Sequence, residues 1–265
     1  MGNDTLGTKL NFGYPDYPLS DGDDGLMART CRLLEQGEIT ACQWLPNGSN
    51  HVFLVTIIKQ GETIKAIYKP RRAETPLWDF PDGTLYKREY GSFLLSQALE
   101  WFLVPPTVIR SGPEGIGSMQ WFINTKDGVD YWALKTRYLS ALQQVALFDY
   151  LVNNADRKAG HCLEGQDGRL WIVDHGLTFN AVLKLRTVIG DFPGQPIPDE
   201  LVADVIALRQ KLKEIKPFRE TLFRLLDAVE FDALEKRIRN IIDNPAFSYL
   251  ESRRSMPWPG WREYY

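Results

Sequence analysis

Cysteine is scarce in this chain, with three residues in 265 (Cys31, Cys42 and Cys162) and no CxxC or zinc-finger spacing. That argues against a disulfide framework and fits reduced thiols in a cytoplasm. Positive charge is not in surplus either. Lys and Arg number 31 against 34 Asp and Glu, a net charge of −3. The basic footprint of a nucleic-acid-binding or polybasic membrane-binding protein is therefore missing. No run approaches the ~18 apolar residues of a transmembrane helix. The opening MGNDTLGTKLNFGYPDYP is polar and turn-rich, unlike a secretory leader. Internal repeats and low-complexity tracts are lacking as well. These absences lead us to expect a soluble cytoplasmic protein without an integral membrane segment or a nucleic-acid partner. The length leaves room for one large domain or a two-lobed one, and nothing in the sequence speaks to oligomeric state.

What is present concentrates in residues 153–179, NNADRKAGHCLEGQDGRLWIVDHGLTF. A polar loop carrying Asp156, Arg157, Lys158 and His161 leads into the apolar pair Cys162-Leu163. Gln166-Asp167-Gly168 gives a turn signal, and residues 170–173 read as the return strand, which delivers Asp174, His175 and Gly176. Two carboxylates, a lysine and two of the three histidines in the chain thus stand at the two ends of one small hairpin. A hairpin brings its ends together, so Asp156 and Asp174 should face a common space.

This segment resembles the active-site segment of the phosphatidylinositol 3-/4-kinase-like branch of the protein-kinase-like superfamily. In that superfamily a catalytic-loop Asp precedes a metal-ligating Asn by five residues, and a hairpin leads to the Asp of Asp-Phe-Gly. Here Asp156 is followed at that distance by His161, and Asp174-His175-Gly176 stands where Asp-Phe-Gly would. The resemblance extends over residues 45–179 and implies a bilobal α+β fold with a β-rich N-terminal lobe and a mainly helical C-terminal lobe. It also implies ATP with Mg²⁺ or Mn²⁺ between the lobes. By the same resemblance Asp156 is the catalytic carboxylate, Lys158 contacts the transferred phosphate, and Asp174 and His161 hold metal. His161 departs from the pattern, since an oxygen ligand suits Mg²⁺ better than imidazole. Arg157 reads as an anchor of the loop, and His175 as a packing histidine that bonds backbone.

Upstream, a helix over 24–36 is expected to end at Gly37. Strands over 39–45, 51–59 and 63–69 should follow. Apolar residues on both faces of 52–58 suggest a strand buried on both sides. The tip Asn47-Gly48-Ser49-Asn50 lacks a GxGxxG fingerprint; alone it is an ordinary Asn-Gly hairpin, whereas the resemblance makes Ser49 and Asn50 phosphate-covering residues. Ala66-Ile67-Tyr68-Lys69 matches the strand that carries the phosphate-binding lysine, with Ile67 beside it. A helix over 85–102 would offer Glu89 as its partner. A surface helix with Lys87 and Arg88 in i,i+4-type ion pairs is the competing reading. Strands over 107–110 and 118–123 are also expected, and the resemblance implies that Gln120 and Ile123 of the second lie at the adenine edge.

We place the boundary between lobes 1–124 and 125–265 in the polar run after Ile123. The second lobe should contain a helix over 140–152, an activation-type segment over 182–196, and helices over 199–216, 217–229 and 231–243. A Trp- and Pro-rich tail around Trp258 and Trp261 should dock on the lobes. The reading is a kinase that transfers phosphate from ATP to an unidentified hydroxyl acceptor, a protein or small molecule before a lipid. Two rivals stand beside it. One is a pseudokinase that binds nucleotide without turnover. The other is a metal-dependent hydrolase using Asp156, His161, Asp174 and His175, which leaves Lys69 and Glu89 without a role.

Overall fold

The computed structural model describes residues 23–46, 51–126 and 131–247. The polar, turn-rich opening, the 47–50 tip with Ser49 and Asn50, and the Trp/Pro tail lie outside these residues. A first helix, α1 (Asp23–Gln36), leads into a sheet. Gly37 closes the helix, its N–H reaching the Leu33 carbonyl at 2.9 Å. Only glycine fits there, because an added Cβ would lie 2.3 Å from an Ile57 methyl.

Five antiparallel strands follow in the order β1-β2-β3-β5-β4: β1 (Glu38–Leu45), β2 (Val52–Lys59), β3 (Glu62–Pro70), β4 (Thr107–Gly112) and β5 (Gly115–Trp121). The β2–β3 turn has positive φ at both Gln60 (50°) and Gly61 (84°). Two such residues give the turn whose twist matches the strands. The sheet is covered on one face, where Val55, Ile57, Ala66, Tyr68 and Met119 pack with residues of α1 and of α2 (Leu85–Ala98). β2 is accordingly buried on one side only, and this corrects the expectation of two buried faces. Val52, Leu54 and Thr56 are half-buried and Ile58 is exposed. Their face is the one that carries Lys69, so it is left open to the cleft.

The α2 helix ends at Ala98, four residues before the expected Phe102. Ser96 explains the shift. Its carbonyl accepts the N–H of Trp101 and Phe102, and its hydroxyl accepts those of Leu103 (2.9 Å) and Val104 (3.2 Å). These bonds compete with the helical ladder, and Glu100 and Phe102 take left-handed φ values of 59° and 50° as the chain turns away. The surface-helix alternative for α2 is overturned, because every residue of α2 except Lys87 is buried.

The remaining part holds helices, one hairpin and an irregular stretch over 173–198. It comprises α3 (Tyr131–Leu134), α4 (Leu139–Val152), the two-stranded β6 (Cys162–Glu164) and β7 (Leu170–Ile172), then α5 (Asp199–Glu214), α6 (Lys216–Leu225) and α7 (Ala228–Asp243). The α6–α7 break falls at Leu226-Asp227, earlier than the expected Val229-Glu230, because Asp227 and Glu230 form a capping box. The Asp227 carboxylate accepts the Glu230 N–H at 2.8 Å, and Glu230 accepts that of Asp227 at 3.2 Å. Among the described residues no helix is long and apolar enough to cross a membrane.

Arg88 joins the two parts. Its guanidinium is 1% exposed, donates to Glu230 Oε1 at 2.5 Å and the Thr178 carbonyl at 2.6 Å, and lies 4.8 Å over the Phe80 ring. Removing one partner of a buried ion pair leaves the other charge stranded. Arg88→Met should therefore destabilise the fold by about 3–5 kcal/mol in denaturant titration. Adding Glu230→Gln, which removes the stranded charge, should recover part of that loss. A double variant no more stable than Arg88→Met would show that the pair's charge is not what matters.

Candidate active site

The end of α4 builds the platform. Asp149, with no exposed surface, accepts Arg157 Nε at 3.0 Å and Nη2 at 2.8 Å in a two-pronged pair. It also accepts the Asn154 side-chain amide at 2.9 Å, and Asn154 Oδ1 accepts the Asp156 N–H at 3.0 Å. Asn153 ends the helix in a left-handed turn (φ 53°). Its amide donates to the carbonyls of Asn180 (2.8 Å) and Val182 (2.7 Å), while its oxygen accepts the Lys184 N–H at 2.7 Å. Asp156 is thereby delivered at a fixed height above buried, fully bonded groups.

The hairpin supplies the opposite wall. Asp174 follows β7 with φ 64°, a backbone state that costs a non-glycine residue energy and tends to occur at functional positions. Lys69, on β3, lies 2.5 Å from Glu89 Oε1 and 2.7 Å from Asp174 Oδ1. Glu89, on α2, also accepts the His175 backbone N–H at 3.0 Å. The Lys69 ammonium, with burial opposing it, holds Asp174 far below the usual carboxylate range. Burial works against the charge on Lys69, but Asp174 and Glu89 together outweigh it and raise its pKa. Asp156 is pushed up by burial and drawn back by its 2.9 Å pair with Lys158.

Both histidines are neutral near pH 7. The Lys158 N–H donates to His161 Nδ1 at 3.4 Å, which leaves the proton on Nε2, 3.3 Å from Asp174 Oδ2. Burial lowers His161 to about 4. His175 Nε2 receives Arg157 Nη2 at 2.8 Å, and a guanidinium can only donate. Its proton is therefore on Nδ1, which is buried without a partner among the described residues. Burial, followed by the Arg157 charge, holds His175 well below 6.5. Its ring meets Phe148 edge to face at 5.8 Å.

A cavity of about 270 Å³ opens between these walls. The structure brings Lys69, Glu89, Asp156, Lys158 and Asp174 together around it, and His161 touches Asp174 from behind. Ile67, Gln120 and Ile123 do not line it. Ile67 and Gln120 pair across the sheet, two residues along from Lys69 and Ser118, on the face that carries Lys69. The Gln120 side chain is held by Thr107 Oγ1 at 2.9 Å, and Ile123 packs with Met27 and Trp171. Sequence reasoning missed Asp149, Asn153 and Asn154, although a carboxylate at the end of an apolar helix, followed by two asparagines, was a usable signal. It also missed Glu74, Leu77 and Tyr86, which line the cavity; the folding of a long loop brings Glu74 and Leu77 there, and Tyr86 comes with the first turn of α2.

Residues 29–233 match the family model described as phosphatidylinositol 3- and 4-kinase. Protein Rv2133c of Mycobacterium tuberculosis is 36% identical over 262 residues, covering 86% of this chain and 94% of that protein. Among solved structures, the Golgi casein kinase with Mn/ADP bound superposes with a TM-score of 0.50 at 17% identity, over 84% of this chain and 76% of that one. Fam20 from hydra, solved with sugar, gives 0.50 at 13% identity, over 85% and 89%. Identities this low show a shared fold and nothing finer.

The neutral histidines make stability depend on pH. Both are held below 6.5 in the fold and return to it on unfolding, so the unfolded chain binds the extra protons. Stability should be full above about pH 6.5 and fall toward pH 4, by at most about 1.4 kcal/mol per unit for each histidine. His175→Phe, which keeps the contact with Phe148, should make that acid-side slope shallower when melting temperature is followed against pH. An unchanged slope would remove His175 from the explanation.

Proposed function

Because the chain belongs to the phosphatidylinositol 3- and 4-kinase family, we propose that it is an ATP-dependent phosphotransferase acting on a hydroxyl acceptor. Residues 1–124 and 125–265 would be the two lobes around the nucleotide. The observation that carries this reading is Lys69, paired at once with Glu89 and Asp174 in the lining of a cavity that Asp156 and Lys158 share. That is the set of charges phosphoryl transfer needs: a cation for the α- and β-phosphates, a carboxylate for metal, and a second carboxylate for the acceptor.

In the proposed step the acceptor oxygen bonds to the γ-phosphorus while the bond to the β–γ bridging oxygen breaks and its electron pair leaves with ADP. The acceptor proton passes to Asp156, whose raised pKa suits a proton acceptor. Lys158 would face the transferred oxygens, and Lys69 would hold the phosphates that stay behind. Ile67, Gln120 and Ile123 would lie toward the base, with Ser49 and Asn50 over the phosphates.

Asp174 and His161 fit one divalent cation together with phosphate oxygens, since a lone carboxylate and an imidazole leave most of a six-ligand shell to the substrate. Bound Mg²⁺ or Mn²⁺ would supply neutralisation of phosphate charge. To serve as a ligand, His161 would have to present Nε2 without its proton and give up the bond from Lys158. This geometry is the observation that favours the rival reading, a nucleotide-binding module without turnover.

ATP labelled separately at the γ- and α-phosphates, with Mg²⁺ and then Mn²⁺, separates the readings. The γ-label should move to the acceptor, whereas α-label movement would mean adenylyl transfer. Asp156→Ala should retain Mn²⁺/ADP binding and lose turnover by about 10²–10⁴-fold. Asp174→Ala should lose metal-dependent nucleotide binding with its melting transition intact. If both variants match wild type, the site assignment is wrong; tight binding by wild type without turnover would favour the module.

A further inference from the structure

The connection between β3 and α2, residues 71–84, crosses the front of the cleft and is fastened at both ends. The Glu74 carboxylate accepts the backbone N–H groups of Leu85 (3.0 Å) and Tyr86 (2.8 Å) at the start of α2. Further along, Phe80 is buried beneath Arg88. The Asp79 carbonyl accepts the Asn180 amide at 2.6 Å, and its carboxylate pairs with Lys184 at 2.6 Å. Lys184 is itself fixed by Asn153 and stands 4.7 Å over the Trp78 ring. The segment is thus a strap from the sheet to the helical part, with Leu77 lining the cavity behind it.

Ile67 and Gln120 continue the Lys69 face along the sheet but do not line the cavity, whereas Leu77, Leu85 and Tyr86 do. A nucleotide with its phosphates at Lys69 and its base toward Ile67 leaves the Leu77 end to the acceptor. The whole space is about 270 Å³, below the ~300–1,000 Å³ of ordinary ligand pockets, and the terminal phosphate takes part of it. Apart from the charged groups already named, the cavity lining includes apolar side chains, the Glu74 carboxylate and His51. The two lysines that line the cavity are both paired with carboxylates, Lys69 with Glu89 and Asp174 and Lys158 with Asp156. Among the described lining residues a second anion would find no unpaired lysine, and His51 is the one other side chain able to carry positive charge.

We propose that the acceptor is a small hydroxyl compound without negative charge, enclosed by the strap and fitted against Leu77, instead of a protein side chain. This rests on the phosphotransfer reading above. A polypeptide running along the segment after the hairpin would have to displace Asp79 from Asn180 and Lys184. The exposed lip of Trp78, Val182 and Leu183 is where such a chain would rest, and that rival is an outcome of the test.

The full chain is given γ-labelled ATP and Mn²⁺ with three acceptor pools: uncharged sugars, polyols and amino alcohols; their phosphorylated counterparts; and a dialysed protein fraction. Label should enter the first pool. Leu77→Trp, which fills the apolar end, should lower kcat/KM for the labelled compound by about 10–200-fold with Mn²⁺/ADP affinity unchanged. Should that variant fail to fold, Leu77→Ala should raise the acceptor KM and leave kcat in place. Label in protein or in phosphorylated compounds, indifferent to Leu77, overturns the proposal and leaves phosphotransfer standing. Mn²⁺/ADP binding without transfer to any pool overturns both.

Discussion

The guanidinium of Arg157 is the interaction on which the site depends. Fully buried, it grips Asp149 of α4 with two donors, reaches the carbonyl of Val173 at the end of the hairpin, and meets His175 beyond it. Its own backbone pairs with the segment after the hairpin, through bonds to Arg186 and Val188. One side chain therefore sets the spacing between the loop that carries Asp156 and the turn that carries Asp174. A buried charge of this kind offsets its desolvation only through close, well-directed hydrogen bonds, which ties the spacing to this one side chain.

A second set of contacts sets the height of the sheet above that platform. Arg88 fixes α2 to α7 and to the Thr178 carbonyl, so its neighbour Glu89 is held where it meets Lys69 and the His175 N–H. The strap does the same from the front, through Asp79. With α2 fastened at its base and along its buried face, the Lys69–Glu89–Asp174 arrangement is part of the resting architecture.

Much of this was legible locally. The strands over 51–59 and 63–69 could be placed, and the hairpin that joins the loop of Asp156 to Asp174 could be read from an apolar pair, a turn signal and a return strand. What was not legible depends on contacts far apart in sequence. Arg88 beside Lys87 looks like surface charge until Glu230, 142 residues away, is brought beside it. The early end of α2 depends on a buried Ser96 hydroxyl that the periodicity of the helix does not reveal. The Pro and Trp residues of 75–84 signal no more than a loop, and only its anchorage makes that stretch a wall of the cavity. His161 was visible as a departure from the family pattern, but its tautomer follows from a backbone N–H three residues earlier.

The most direct test of the account is a crystal soaked with Mn²⁺ and ADP, with anomalous scattering used to locate the metal. The account requires an Mn²⁺ peak beside Asp174, the β-phosphate at Lys69 and the adenine toward Ile67 and Gln120. Nucleotide bound elsewhere, or no metal at Asp174 in crystals that hold ADP, would contradict it.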